Sequence, residues 1–158
     1  MKLSRIIASG LGTGYVPVAP GTAGSALGIL LFYGLNYVWK IYHLNPELIL
    51  LLNFLVIVFV LLVGVYSVKK VHRFWPHDAS QIVIDEIVGV WIAAYAMPLE
   101  AQYYLYAFIL FRFFDIVKPF FIRRLDKAGN DWSVMLDDVL AGLYSLVVLQ
   151  VLLQFKII

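Results

Sequence analysis

Seven charged residues sit in or beside apolar runs of this chain and carry its chemical potential: Asp85, Glu86, Arg112, Asp115, Lys118, Asp137 and Asp138. In Phe111 to Asp126, FRFFDIVKPFFIRRLD, a helix would set Arg112, Asp115 and Lys118 at i, i+3 and i+6, on one stripe about 120° wide. Ionisable groups this close to a hydrophobic span are costly and tend to mark a site. The plainer reading is an Arg112–Asp115 pair, worth a few tenths of a kcal/mol on an exposed helix (about 0.2–0.5). Two acidic doublets, Asp85-Glu86 and Asp137-Asp138, favour the site. Together with Asp115 they would repel one another in a partly dry interface unless a cation compensates them. Such hard oxygen donors suit Mg²⁺, which commonly takes one or two carboxylates together with phosphate oxygens. The alternative for each doublet is a place in the first turn of a helix, where carboxylates offset the macrodipole.

A second half of the site is readable near the N-terminus. In Ala19-Pro20-Gly21-Thr22-Ala23-Gly24-Ser25, small residues let the backbone approach a ligand, and the free N–H groups at a helix start can hold an anion. Thr22 and Ser25 are candidate helix caps. With Arg112 and Lys118 the turn makes a phosphate subsite, in which the cations neutralise what Mg²⁺ polarises. His43, His72 and His77 lack ligand spacing and read as interfacial residues.

These groups need apolar elements to hold them. The 158 residues are 63% hydrophobic and 14% charged, against about 45–50% and about 25% in ordinary soluble domains. The expected fold is all-α: a small polytopic membrane bundle of about five hydrophobic helices, forming a single domain over residues 1–158. The helices are expected over about Ala23–Trp39, Glu47–Val68, Ile82–Met97, Ala101–Lys118 and Val134–Phe155, with the fourth ending before Pro119. The N-terminus is charged but lacks the apolar core of a signal peptide. With no cysteine, disulfides, thiolate zinc sites and cysteine nucleophiles are excluded. A net charge of +2 without a basic helix face argues against nucleic acid as a partner. Nothing in the sequence marks an obligate protein partner. If the N-terminus faces the cytoplasm, the inner loops hold Lys2, Arg5, Lys69, Lys70, Arg73, Arg123, Arg124 and Lys127, and the outer side only Lys40 and Lys156. The expected location is therefore the inner (cytoplasmic) membrane, with the acidic site on the cytoplasmic face.

Four stretches in order, Pro17–Ser25 (PVAPGTAGS), Gln81–Gly89 (QIVIDEIVG), Phe111–Pro119 (FRFFDIVKP) and Val134–Gly142 (VMLDDVLAG), resemble the phosphatidylglycerophosphatase A family. The resemblance covers nearly the whole chain. It implies a Mg²⁺-dependent enzyme that removes the terminal phosphate of phosphatidylglycerophosphate, a phospholipid substrate met in the membrane, and a central helix surrounded by others. The family's polar positions fall on Thr22, Ser25, Asp85, Glu86, Arg112, Asp115, Lys118, Asp126, Asp137 and Asp138. The chain departs from the pattern at Phe121, Ser133 and His77–Ser80. The expected roles are metal ligation by Asp85, Glu86, Asp137 and Asp138, catalysis by Asp85, Asp115 and Asp138, and phosphate binding by Thr22, Ser25, Arg112 and Lys118. Both water and an aspartyl side chain stay open as the nucleophile. Two other classes compete. A transporter or channel subunit would place charges near the bilayer midplane, often with internal repeats, and a CDP-alcohol phosphotransferase would carry an Asp-Gly-x-x-Ala-Arg pattern, which is absent.

Overall fold

The longest helix begins where Asn45, in extended conformation, accepts a hydrogen bond from the Leu48 amide at 2.7 Å, followed by Pro46 at the first helical position. It ends on Lys69 and Lys70, cations that suit the negative end of the helix dipole. The computed structural model describes residues 2–76, 79–119, 121–123 and 132–158. In chain order these give α1 (Lys2–Ala8), a 3₁₀ turn (Gly10–Tyr15), α2 (Pro20–Ile41), α3 (Pro46–Val71), α4 (Ile84–Ala93), α5 (Ala101–Val117) and α6 (Ser133–Gln154). No strand occurs among the described residues. The all-α expectation holds.

Every residue of α4 except Glu86 is buried, which fits its lack of a polar face. It packs against α2, α3, α5 and α6 and is the axis of the bundle. Its ten residues fall short of the expected Ile82–Met97, because the chain leaves the helix at Ala94 and turns through left-handed Ala96 before Pro98. The helix α2 is longer than expected: Pro20 pre-sets the helical φ, so the Pro-Gly-Thr turn is already its first turn. Its N-cap is Ala19, in left-handed conformation, and neither Thr22 nor Ser25 caps it. The Ser25 hydroxyl instead donates back to the Gly21 carbonyl at 2.8 Å. As expected, α5 stops before Pro119, at Lys118, whose φ of 45° breaks the helical path.

Two contacts fix α2 in place. The Trp91 indole N–H on α4 donates to the Gly28 carbonyl at 2.7 Å, and the Trp91 ring stacks on Phe32. Toward the other end of α2, the buried Asn53 of α3 donates to Asn36 Oδ1 at 2.8 Å, and Asn36 passes a bond to the Phe32 carbonyl. A buried amide pair of this kind is satisfied and so specifies which helices meet.

Helices α3 and α6 are long and apolar enough to cross a membrane. On α3 the side chains of Phe54, Leu55, Phe59 and Leu62 are all exposed. An apolar face of that extent suits hydrocarbon rather than water.

Candidate active site

The acidic doublets reach one place because of how α4 and α6 cross. Gly89 lies one turn after Asp85, and Gly142 one turn after Asp138, so each glycine shares its helix face with a carboxylate. A Cβ on Gly142 would overlap the Gly89 carbonyl, and one on Gly89 would meet the Asp138 carbonyl at 2.8 Å. The backbones therefore touch just below the carboxylates. Oxygen atoms of Asp85, Glu86 and Asp138 come within 4.8 Å of one another.

The remaining charges are paired. Arg112 Nη1 lies 2.7 Å from Asp115 Oδ2, the i, i+3 pair, and 3.4 Å from Ser25 Oγ. Lys118 Nζ lies 2.8 Å from Asp137 Oδ2. Two of the five carboxylates thus have a cation of their own, and among the described residues the other three have only each other. At 4.8 Å and an effective dielectric of 20, each like-charge pair costs about 3.5 kcal/mol. Three such pairs approach the whole stability of a small domain, about 5–15 kcal/mol. The cluster therefore needs a positive partner or a proton.

Local contacts point the same way. Glu86 Oε2 is buried with no hydrogen-bond partner among the described residues, while its other oxygen faces Gly21, where a Cβ would overlap it. Asp85 accepts the Glu86 amide at 3.1 Å. These two residues open α4. The donor set is all hard oxygen, preassembled and, among the described residues, without a cation of its own. It fits a divalent cation.

The expected residues divide as follows. Asp85, Glu86 and Asp138 come together, and Arg112 and Ser25 lie at the same end of the bundle, where Glu86 and Arg112 both approach Gly21. Asp137 faces Lys118 and stands outside the three-carboxylate set, which separates it from the expected ligands. Asp115 holds Arg112 and also stands outside that set. Thr22 is half-buried in the first turn of α2. Asp126, His77 and Asp78 lie outside the described residues. The dipole-offset alternative applies to Asp85 and Glu86, which do open a helix, but not to Asp137 and Asp138, which lie beyond the first turn of α6. The contributions of Gly89 and Gly142 were missed from sequence, although a glycine one turn after each doublet was there to be read.

The family model of phosphatidylglycerophosphatase A matches residues 6–153. A Haemophilus influenzae protein named phosphatidylglycerophosphatase A is 42% identical over 151 residues, covering 91% of this chain and 85% of its own length. An Escherichia coli protein of the same name is 32% identical over 152 residues, with 92% and 82% covered. A Bacteroides thetaiotaomicron protein provisionally named phosphatidylinositol-3-phosphatase is 40% identical over 154 residues, with 94% and 92% covered. No solved structure matches the chain. The matches run through all four polar motifs and the helices that carry them, and the chain belongs to the phosphatidylglycerophosphatase A family of lipid phosphatases.

Proposed function

We propose that this protein, acting as one domain over residues 1–158, hydrolyses phosphatidylglycerophosphate to phosphatidylglycerol and phosphate, with Mg²⁺ held by Asp85, Glu86 and Asp138. The observation that carries the reading is the division of charge: two carboxylates bound by Arg112 and Lys118, and three left facing one another. When bound, Mg²⁺ would neutralise the phosphate and polarise its P–O bond. Arg112, held in place by Asp115 and beside Ser25, is set to take a phosphate oxygen by charge-assisted hydrogen bonds. Lys118 is oriented by Asp137 for the same task. A carboxylate of the cluster, Asp85 or Asp138, accepts the proton of the attacking water as its oxygen bonds to phosphorus. The ester P–O bond then breaks, and the departing glycerol oxygen takes up the proton that this carboxylate accepted.

Two relatives carry the name of this activity. A second reading follows from the third, named for a phosphoinositide and about as similar as the Haemophilus protein. Both are phosphomonoesters on a lipid, and Arg112, Lys118 and a cation held by the three carboxylates would take the phosphate of either. Phosphate release from the two lipids under identical conditions decides between them. At least about a tenfold higher kcat/KM for phosphatidylglycerophosphate is expected, a difference of about 1.4 kcal/mol in transition-state binding. The reverse preference would give the phosphoinositide reading.

We place the protein in the inner membrane as a multi-pass bundle with this site on the cytoplasmic side. The support is the Lys and Arg distribution: Arg5 sits over Phe74 just past the end of α3, and Lys69 and Lys70 share that end with the start of α4. Single cysteines in place of Ser80 and Gln102 are expected to label from opposite faces of sealed vesicles. Labelling from one face would refute the arrangement.

A further inference from the structure

A groove of about 400 Å³ opens on the side of the bundle between α2 and α5. Ala26, Leu30 and Tyr33 line it from α2, and Tyr104, Leu105 and Phe108 from α5. The two helices run antiparallel here: Ser25 lies beside Arg112, and farther along Tyr33 meets Tyr104 edge to face at 5.0 Å. The groove's near end, Ala26 and Phe108, is therefore one residue past Ser25 and one turn before Arg112. From Ala26 to Tyr33 it extends about 10 Å along α2, roughly a third of the 30 Å hydrocarbon core. Its walls are aliphatic and aromatic, and its near end leads to the cationic and hydroxyl groups of the candidate site.

That continuity identifies the occupant. A lipid phosphate seated on Arg112 brings its own acyl chains to the mouth of the groove, because head group and chain are covalently joined. We infer that the groove between α2 and α5 holds the first part of one acyl chain of the lipid whose phosphate lies in the carboxylate site. This rests on the lipid-phosphatase reading above. It adds a specificity element: the enzyme binds the chain as well as the phosphate, so substrates are distinguished by what lies on the glycerol side. Burying several methylenes in such a groove multiplies affinity for long-chain over short-chain substrate. The energy gained there is available for holding the phosphate in line with its attacking water.

Two measurements test it. The first uses a non-hydrolysable phosphonate analogue of phosphatidylglycerophosphate with a diazirine early in one acyl chain, added with Mg²⁺ to the full-length protein in phosphatidylcholine vesicles. Photolabelling is expected on Leu30, Leu105 and Tyr33, and excess unlabelled phosphatidylglycerophosphate should suppress it. Label spread equally over the exposed α3 residues Phe59 and Leu62, or unaffected by that competitor, would show ordinary bilayer contact and overturn the proposal. The second compares kcat/KM for long-chain and dibutyryl substrates. Ala26→Trp, or Leu105→Trp should the first fail to fold, is expected to lower the long-to-short ratio about tenfold. An unchanged ratio overturns the proposal, since damage to the fold alone would lower both values together. If the parent hydrolysed no phosphatidylglycerophosphate, the proposed activity would fall. Competed labelling of the groove would still stand, because it needs no turnover.

Discussion

Asn in place of Asp138 is expected to reduce phosphate release at least about 100-fold while leaving the protein folded. Asn matches the shape of Asp but supplies neither the charge that holds a divalent cation nor a base. At a helix start the same exchange would be nearly silent, because Asn caps as well as Asp. Asp138 has no such duty, since it lies beyond the first turn of α6. The substitution also removes one member of a repelling set, so the thermal midpoint without metal should stay level or rise. Asp85→Asn is the companion variant, with a similar loss of rate expected. It also weakens the bond that Asp85 accepts from the Glu86 amide, so its stability is the less clean measure. Turnover within a few-fold of the parent in both variants would show the cluster to be a structural feature and move the search to Asp115 and Asp126.

Removing divalent metal is expected to have an effect as large. EDTA should bring phosphate release to background and Mg²⁺ should restore it, because three hard carboxylates with no thiolate and, among the described residues, no imidazole in their cluster favour Mg²⁺ over Zn²⁺. A readout apart from activity is available. Binding to the folded state alone raises stability by RT ln(1 + [Mg²⁺]/Kd), about 2.7 kcal/mol at a hundredfold excess over Kd. The thermal midpoint should therefore climb with Mg²⁺ in the parent and climb much less in Asp138→Asn. Full activity in metal-free buffer, with a midpoint indifferent to Mg²⁺, would refute the metal reading.

Much of this was legible in the sequence, for identifiable reasons. The long helices announce themselves because apolar runs bounded by prolines have few other uses, and α3, α5 and α6 fall within a few residues of where the runs predict. The ends of α4 were misplaced, since Ala94 to Met97 is as apolar as the helix before it and only the left-handed turn at Ala96 separates them. The division of labour within Asp137-Asp138 was not legible. Neighbours on a helix point about 100° apart, and which one meets α4 and which meets Lys118 depends on the rotation of α6 in the assembled bundle. The Arg112–Asp115 pair was available from its i, i+3 spacing as the plainer alternative to a site. Its position beside Ser25, 87 residues away in sequence, comes only from the fold.

The glycine contact between α4 and α6 has a consequence for how the family can vary. The gap between the carboxylates is fixed by main chain resting on main chain at Gly89 and Gly142, as a caliper is set by its own frame. No side chain on the outer face of α3 enters that setting: Phe54, Phe59 and Leu62 point away from it into the surroundings. The outer coat can therefore be rewritten to suit a thicker, thinner or differently composed bilayer, one residue at a time, without moving an oxygen atom at the centre. The freedom ends at the two glycines, where even a methyl group would force the frame open.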